Sequence, residues 1–524
     1  MSERPTEPEK DVAWVEAQLS AGALQDHLEA AVNKAVNEKP ENLSQRVAEH
    51  LLLASVPPVA RPELFAAALL VARAGEGYEG LAETLRQLAE KPEIPEQLSA
   101  FVQNRLHHWR RRAAVRAQKT PVLPGLQMKC DEFDGIHALS SERVHPQVWN
   151  WRKMKTADGL PIYGAGQCHL DGLVFLARQL KEAGYRRVFW FNMREEPLVF
   201  LNGTACAPRV EGKLNENVDY LLSIQGFELD GMEARLREDC VAAAAAAKGG
   251  GGLPVWYEEG GVNAQKPLDV QADKSFTVRA AYADHVNKQE GTATCEYVRV
   301  PIADETAPEE QDFDQLVDEL AGLAADGSER AKATTALVFN CHMGRGRTTT
   351  GMVCGAILLR AARGWKPAEG AAAAALPAPT AEGRDLKRGE FVGILTLLAQ
   401  LDAACHEKGL GLKCKLLVDA CADEADEVTH LVAAPAKCIE KAEKAAAKAA
   451  AGGGPEAPKA GPAEDSMGTP AFWRHRGVKY LERYAYLLLF AAYVHRHPTG
   501  ERSFTEWMRT HWAFKRTIGE LELE

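Results

Sequence analysis

The 524-residue sequence lacks several features that would place it in common protein classes. No run approaches the roughly 18 consecutive apolar residues of a membrane-spanning helix, so we expect no transmembrane segment. The first residues, MSERPTEPEKD, have no apolar core typical of a secretory signal, which predicts a cytoplasmic protein. Basic residues are outnumbered, with 62 Lys and Arg against 73 Asp and Glu. This deficit argues against nucleic acid as a partner.

Paired cysteines are also absent. The 11 cysteines are scattered, without a CxxC pair or a His-Cys metal spacing, a pattern typical of free thiols in a reducing compartment. We therefore expect neither a disulfide framework nor a metal site. Hydrophobic residues make up 46% and charged residues 26% of the chain, the balance of a folded globular protein.

Composition and periodicity divide the chain into regions. Residues 1–120 have the apolar spacing of an all-helical region. Residues 121–365 alternate short apolar runs with helical patterns, which predicts an α/β domain with a largely parallel central sheet. Residues 388–524 predict helices packed on that sheet. Low-complexity stretches at 242–252, at 366–387 and near 441–468 are typical of insertions or linkers, and we assign them no function.

Individual elements can be placed within this outline. Strands are expected at 161–163, 188–192, 255–258, 297–300 and 336–340. Helices are expected at 229–247, 313–325, 348–363, 390–405, 412–422 and 478–495.

One stretch joins an apolar strand, a glycine-containing loop and an apolar helix around a cysteine. The loop reads Cys341-His342-Met343-Gly344-Arg345-Gly346-Arg347-Thr348. A thiol at a helix start is stabilised as the thiolate by the helix dipole and by free backbone N–H groups. Glycines let the loop curl so that these N–H groups converge on one anion. We therefore predict Cys341 as the nucleophile and residues 342–346 as a phosphate cradle.

Two further loop residues fit phosphate chemistry. Arg347 can present a planar pair of donors to phosphate oxygens and stabilise the charge of the transition state. Thr348 can donate its hydroxyl to the sulfur when water cleaves a phosphocysteine; a simple helix-start role is the alternative.

Cleavage of a phosphate monoester also needs a proton for the leaving oxygen. The predicted strand at 297–300 leads directly to Asp304, which we take as the general acid. A turn-capping role is the alternative for this aspartate. The competing acids are Glu305, Asp312 and Asp314.

Several motifs in order resemble the paladin family of the protein-tyrosine-phosphatase-like superfamily and, more distantly, the cysteine phytases. They are Leu160-Pro-Ile-Tyr-Gly164, the run FWFNMREEP at 189–197, the stretch at 297–304, the Cys341 loop and GVKYLERY at 477–484. The resemblance implies a central sheet with helices on both sides, without a metal or an organic cofactor. Phytase-like relatives act on inositol phosphates, and paladins have been linked to phosphoinositides.

The resemblance also assigns residues. It implies that Arg194 contacts substrate phosphate, with a salt-bridged structural arginine as the alternative. His342 and Arg345 would add positive charge at the loop rim, which suits a multiply phosphorylated ligand. The chain departs from the family in having one such unit, and from many phosphatases in having Asn340 where they have histidine before the nucleophile.

The N-terminal helical region resembles an RIIa-type docking and dimerisation module, on the segments at 14–19, 28–36 and 39–53. Such modules pair into a four-helix bundle that binds an amphipathic helix, which implies a homodimer, a scaffold partner and a location in the cilium or flagellar axoneme. A generic helical cap on the phosphatase unit is the alternative.

These observations leave two functional hypotheses. In the first, the protein is a cysteine-dependent phosphatase that acts on a phosphorylated small molecule, lipid or protein through a phosphocysteine intermediate. In the second, the same loop binds a phosphorylated ligand without turnover and the protein serves as a scaffold. The sequence does not specify which phosphate ester is bound.

Overall fold

The computed structural model describes residues 121–132, 144–218, 224, 226–247, 252–325, 334–366, 376–380, 382–425, 430–450, 468–497 and 500–523. The helical region predicted at 1–120, with its RIIa-type resemblance, lies outside the described residues. The fold below is that of the unit Val122–Glu524. Of the helices described, none is both long and apolar enough to span a membrane.

The strands are β1 (Gln127–Cys130), β2 (Arg152–Lys153), β3 (Ile162–Ala165), β4 (Arg187–Arg194), β5 (Val199–Leu201), β6 (Thr204–Arg209), β7 (Leu253–Glu259), β8 (Val262–Leu268), β9 (Phe276–Thr277), β10 (Thr294–Ile302) and β11 (Thr335–Asn340). The helices are α1 (Leu170–Glu182), α2 (Gly226–Ala246), α3 (Glu310–Ala325), α4 (Gly346–Ala362), α5 (Val392–Ala404), α6 (Leu410–Glu424), α7 (Ala434–Ala450), α8 (Pro470–Arg496), α9 (Phe504–Thr510) and α10 (Trp512–Gly519).

The central sheet has the strand order β10-β4-β11-β3-β2. Strands β10, β4, β11 and β3 are parallel, and only the short edge strand β2 is antiparallel to its neighbour. In the register, Asn340 at the end of β11 lies opposite Asn192 of β4 and Ala165 of β3. The carboxyl ends of these three strands therefore meet at one edge, and the predicted, largely parallel sheet is confirmed.

Both faces of this sheet are covered. On one face, Phe191 and Phe339 pack in a core with buried residues of α3, α4, α5, α6 and α8. On the other face, Trp190 and Val338 pack with α1 and the helical turns at 278–288. Because both faces are buried, β4 and β11 are apolar almost throughout, as central parallel strands generally are.

A second sheet was not expected from the sequence. Its order is β8-β7-β1-β6-β5-β9, and its pairs are antiparallel except for β1 with β7. The β1 strand ends at Cys130, so Asp131 leaves this sheet directly toward the central one. The sheet supplies residues that the site needs, as described below.

The other predicted elements correspond closely to the structure. Each predicted strand and helix between 161 and 495 overlaps an observed one, and the alanine run after Val241 continues α2 to Ala246. One expectation differs: residues 441–450, predicted as part of a linker, form the second half of α7. Alanine and lysine both favour helix, and α7 packs along α8.

Candidate active site

Cys341 lies at the carboxyl end of the central strand β11, immediately before the loop that leads into α4. Its side chain is 3% exposed. Because α4 starts at Gly346, its N-terminal dipole and free N–H groups face the loop that begins at this thiol. The predicted strand, loop and helix arrangement around Cys341 is present.

The carbonyl groups of the loop are bonded to residues outside the cavity. The His342 carbonyl accepts the N–H of Gln167 at 2.8 Å. Two side chains bind the next two carbonyls: Asn150 Nδ2 with Met343 O at 2.6 Å, and Arg152 Nη1 with Gly344 O at 2.8 Å. These three bonds fix the path of the loop from His342 to Gly344.

Gly344 is required by both conformation and space. Its φ is +72°, in the left-handed region that favours glycine. A Cβ at this position would lie 2.5 Å from the backbone nitrogen of Gly166. The loop can therefore take this path beside β3 only because residue 344 has no side chain.

Arg347 is buried and held from three sides. Its Nη1 donates to Glu196 Oε1 at 2.8 Å and to the Ile302 carbonyl at 3.0 Å, and its Nη2 lies 3.2 Å from Asp304 Oδ1. Burial alone would lower the pKa of Arg347, but Asp304, Glu196 and Cys341 together raise it, so the side chain stays charged. Its buried Nε has no hydrogen-bond partner among the described residues, which leaves one donor for a ligand.

Asp304 lies in the turn after β10 and lines the same cavity as Cys341 and Arg347. Its side chain is 51% exposed, and its Oδ2 accepts a 3.0 Å hydrogen bond from Asn217. The structure thus brings together the predicted nucleophile, clamp and acid.

Of the competing acids, only Glu305 lines this cavity, where it pairs with Arg476. Burial raises the pKa of Glu305. Asp312 instead accepts the N–H of Glu309, and Asp314 accepts the N–H groups at the start of α9. The last two acids are therefore structural.

The Thr348 hydroxyl donates to the Ala165 carbonyl at 3.2 Å. This bond occupies its single proton, so the expected donation to the Cys341 sulfur is not what the structure shows. Asn340, before the nucleophile, accepts the indole N–H of Trp190 at 3.0 Å. Its amide therefore has a packing role between β4 and β11.

His342 lines the cavity as expected, but its side chain is not at an open rim. The side chain is buried, and its Nε2 lies 3.2 Å from Asp131 Oδ1. Burial lowers the pKa of His342, although Asp131 opposes this shift. Arg345 also lines the cavity as expected.

Arg194 does not line the cavity and is fully buried. Its Nη1 pairs with Asp131, and its Nε donates to Glu196 Oε2 at 3.1 Å. The expected contact of Arg194 with substrate phosphate is therefore wrong in this structure, and the alternative of a salt-bridged structural arginine is correct.

The cavity has a volume of about 650 Å³, and much of its wall comes from the C-terminal helices. The wall residues that the sequence did not identify are Ala434, Lys437, Cys438, Lys441, Trp473, Arg476, Tyr480 and Arg483 of α7 and α8, together with His430 before α7. Arg483 is anchored by a 2.8 Å bond to the Thr306 carbonyl, and Lys441 lies 4.2 Å from the Trp473 ring centre. The GVKYLERY motif was the available signal, because it contains Tyr480 and Arg483.

One cluster of possible metal ligands occurs among the described residues. Cys130, Glu132 and His169 place one ligand atom each within 4.8 Å of one another. However, His169 Nδ1 accepts the N–H of Ala205, so the proton of the neutral ring is on Nε2, which faces Glu132. Burial also raises the pKa of Cys130 to about 12. These groups are poorly suited to a metal, and we assign none.

Residues 191–359 match the family model of PTP-like phytases, described by the words inositol hexakisphosphate. The chain is 26% identical over 369 residues to paladin of Xenopus tropicalis, covering 69% of this chain and 36% of that protein. It is 28% identical over 399 residues to paladin of Mus musculus, covering 74% and 39%. The chain thus spans little more than a third of the length of these curated relatives.

Two solved structures are similar at lower levels. The PTP-like myo-inositol phosphatase of Mitsuokella multacida, in complex with myo-inositol-(1,3,4,5)-tetrakisphosphate, is 13% identical with a TM-score of 0.38, covering 75% of this chain and 49% of that one. A PTP-like phytase from Bdellovibrio bacteriovorus is 17% identical with a TM-score of 0.34, covering 74% and 96%. The resemblance to paladins and to PTP-like phytases that the sequence indicated is confirmed by the family match and the curated relatives.

Proposed function

We propose that the protein is a cysteine-dependent phosphatase that hydrolyses a multiply phosphorylated small molecule, of the inositol phosphate or phosphoinositide class. The observation that supports this proposal most is the convergence of Cys341, Arg347 and Asp304 on one cavity. Fold similarity alone would not assign an activity, because one fold hosts many functions.

In the first step, the Cys341 thiolate attacks phosphorus, an S–P bond forms and the P–O bond to the leaving group breaks. Asp304 gives its proton to the leaving oxygen. The loop N–H groups and Arg347 Nε hold the transferring oxygens, where charge develops. In the second step, water attacks phosphorus, Asp304 takes a proton from that water and the thiolate leaves.

The contact between Arg347 and Asp304 must change when substrate binds. A phosphate dianion that enters the loop competes with the Asp304 carboxylate for Arg347 Nη2. Because Asp304 is half exposed, its side chain has room to move from the arginine toward the leaving oxygen.

The charge of the cavity supports a substrate with several phosphates. Six cationic side chains line it against two carboxylates, Asp304 and Glu305. The six are Arg345, Arg347, Lys437, Lys441, Arg476 and Arg483. One phosphate occupies the loop, so the lysines on α7 and the arginines on α8 remain for others. The description of the matched family by inositol hexakisphosphate points the same way.

The direct test is phosphate release by purified wild-type and Cys341→Ser proteins from a panel of inositol phosphates, phosphoinositides and phosphotyrosine peptides. We expect release from the multiply phosphorylated inositol compounds that disappears in Cys341→Ser. A folded wild-type protein that releases phosphate from none of these esters contradicts the proposal.

A second candidate is phospho-ligand binding without turnover, in a scaffold. Two observations favour it: Thr348 donates to Ala165 instead of the sulfur, and Asn340 replaces a histidine found in many phosphatases. Tight binding of myo-inositol hexakisphosphate by both wild type and Cys341→Ser, with no release by either, would support this candidate. A role in a ciliary or other assembly would depend on residues 1–120, which lie outside the described part.

A further inference from the structure

A buried chain of polar and charged side chains joins the two ends of the catalytic loop. It starts at His342, whose Nε2 lies 3.2 Å from Asp131 Oδ1, and Asp131 pairs through its other oxygen with Arg194. Arg194 Nε then donates to Glu196 Oε2 at 3.1 Å, and Glu196 Oε1 accepts from Arg347 Nη1 at 2.8 Å. The chain therefore starts at the residue after the nucleophile and ends at the phosphate clamp.

Asp131 is the member of this chain that follows a strand of the second sheet, whereas the other four lie in β4 or in the segments that follow β4 and β11. It follows β1 of the second sheet, where its N–H donates to the Ala205 carbonyl at 2.9 Å. Arg209 of β6 lies 2.9 Å from its Oδ1. These two contacts fix the Asp131 carboxylate relative to the second sheet. The carboxylate in turn contacts His342 and Arg194, so the second sheet helps to position both side chains.

The carboxylate carries a fixed negative charge. Burial would raise the pKa of Asp131, but Arg194, His342 and Arg209 together hold it well below its usual range. Leaving a buried charge without its partner strongly destabilises the folded protein. Each charged side chain in this chain therefore stabilises the positions of the side chains that pair with it. A two-oxygen acceptor is also needed geometrically, because three donors converge on this side chain.

We propose that Asp131 is a positioning residue for the catalytic loop and that the second sheet is, through it, part of the phosphate-binding apparatus. The carboxylate holds His342 at one end of the loop and, through Arg194 and Glu196, sets the orientation of Arg347 at the other. This inference rests on the proposed function, because the loop it positions is the proposed phosphate site.

The test separates positioning from a general contribution to stability. Its variants are Asp131→Asn, His342→Gln and the double variant. The matched control is Asp158→Asn, which weakens another buried arginine held by two acids: Arg360 lies 3.2 Å from Asp158 and 2.8 Å from Glu424, away from the cavity lining. Thermal unfolding of all four variants reports the loss of stability.

Two readouts report the loop. The first is kcat/KM for myo-inositol hexakisphosphate, which we expect to fall about 100-fold in Asp131→Asn because small misplacements of catalytic groups have effects of this size. The second is alkylation of Cys341 by iodoacetamide, followed on the Cys341 peptide, and its protection by inorganic phosphate. We expect half-protection by phosphate to need at least roughly tenfold more phosphate in Asp131→Asn, as a buried charge pair predicts. The control should match wild type in both.

The double variant shows whether Asp131 acts on the loop through His342. If Asp131 acts partly through His342, Asp131→Asn has a smaller effect in the His342→Gln background than in wild type. Additive effects contradict that link, and unchanged kcat/KM and phosphate protection in a folded Asp131→Asn protein overturn the proposal. If Asp131→Asn does not fold, His342→Gln alone decides, since unchanged phosphate protection in that variant contradicts positioning through this residue.

The two proposals can fail separately. A wild-type protein that releases no phosphate, yet shows phosphate protection that Asp131→Asn loses, contradicts the enzyme and supports the positioning role. Phosphate release at the same rate in wild type and Asp131→Asn supports the enzyme and contradicts the positioning role. A folded wild-type protein that shows neither phosphate release nor phosphate protection contradicts both.

Discussion

The Nη2 atom of Arg347 lies 3.2 Å from the Oδ1 atom of Asp304. The proposed phosphate clamp and the proposed proton donor are thus direct partners, although Arg347 lies in α4 after β11 and Asp304 lies in the turn after β10.

Asp304→Asn should separate substrates by their leaving groups. An alkoxide needs a proton when it leaves, whereas a nitrophenolate does not, so general acid catalysis matters for the first and little for the second. We expect kcat to fall at least about 100-fold for myo-inositol hexakisphosphate and much less for p-nitrophenyl phosphate. The matched control is Asp284→Asn, which removes an exposed ion pair with Lys288. An equal loss for both substrates would exclude Asp304 as the acid.

Protonation of Glu196 should lower the unfolding free energy of the protein at acid pH. Burial opposes its charge, but Arg347 and Arg194 lower the pKa of Glu196 from 4.5 to about 2. A carboxylate with a lowered pKa stabilises the fold fully above 4.5, and this contribution is lost as the pH falls toward 2. By linkage, about 2 kcal/mol should be lost between pH 6 and pH 3 from this group. Urea unfolding of wild type and Glu196→Gln at both pH values measures this loss of unfolding free energy.

The expected result is a smaller decrease of unfolding free energy in Glu196→Gln than in wild type over that interval. Protonation of Asp131 lowers the unfolding free energy in both proteins, so its contribution cancels when their pH dependences are compared. Identical pH dependence of the two proteins would show that Glu196 is not ionised against Arg347 in the folded state.

Gly344→Ala should lower the unfolding free energy by more than the cost of placing alanine in a left-handed backbone conformation. Gly291 has a similar φ, +76° against +72°, but a Cβ there would meet no atom within 4 Å, whereas at Gly344 it would lie 2.5 Å from Gly166. We expect Gly291→Ala to lose roughly 1 kcal/mol of unfolding free energy and Gly344→Ala more, together with phosphate binding. Chemical unfolding and phosphate protection of Cys341 measure both effects. Equal losses in the two variants would argue against the close approach.

The lysines of α7 should select for multiple phosphates. Lys437→Ala with Lys441→Ala should lower kcat/KM for myo-inositol hexakisphosphate by roughly tenfold, since each solvated charge pair contributes up to about 1 kcal/mol. Hydrolysis of p-nitrophenyl phosphate, with one phosphate, should be nearly unchanged. Lys444→Ala is the control, because this exposed lysine on the same helix does not line the cavity. A parallel loss for both substrates would place the lysines outside substrate selection.

The reaction loop could be predicted because its chemistry is local. Cys341, the glycines and Arg347 are consecutive in sequence, and the apolar runs on both sides specify the strand and helix that present them. The Arg347–Glu196 pair, in contrast, joins residues 151 positions apart. No local pattern distinguishes a charge at the rim from one beneath it, so the sequence placed Arg194 in contact with the substrate, whereas the structure buries it away from the cavity.

The second sheet and α7 were missed for different reasons. The β5 strand has three residues, and β8 has no buried residue that would give an alternating apolar pattern. The end of α7 is composed of alanine and lysine, which resembles a spacer unless its packing along α8 is known. In both cases the signal lies in contacts between distant segments.

The division of the cavity between the Cys341 loop and the helices α7 and α8 has a consequence for how this protein can diverge. Under the proposed function, bond breaking and ligand choice would be encoded in separate stretches of sequence. Drift in the outward residues of α7 would therefore change the preferred ester while leaving the reaction intact, so close homologues with the same loop need not share a substrate.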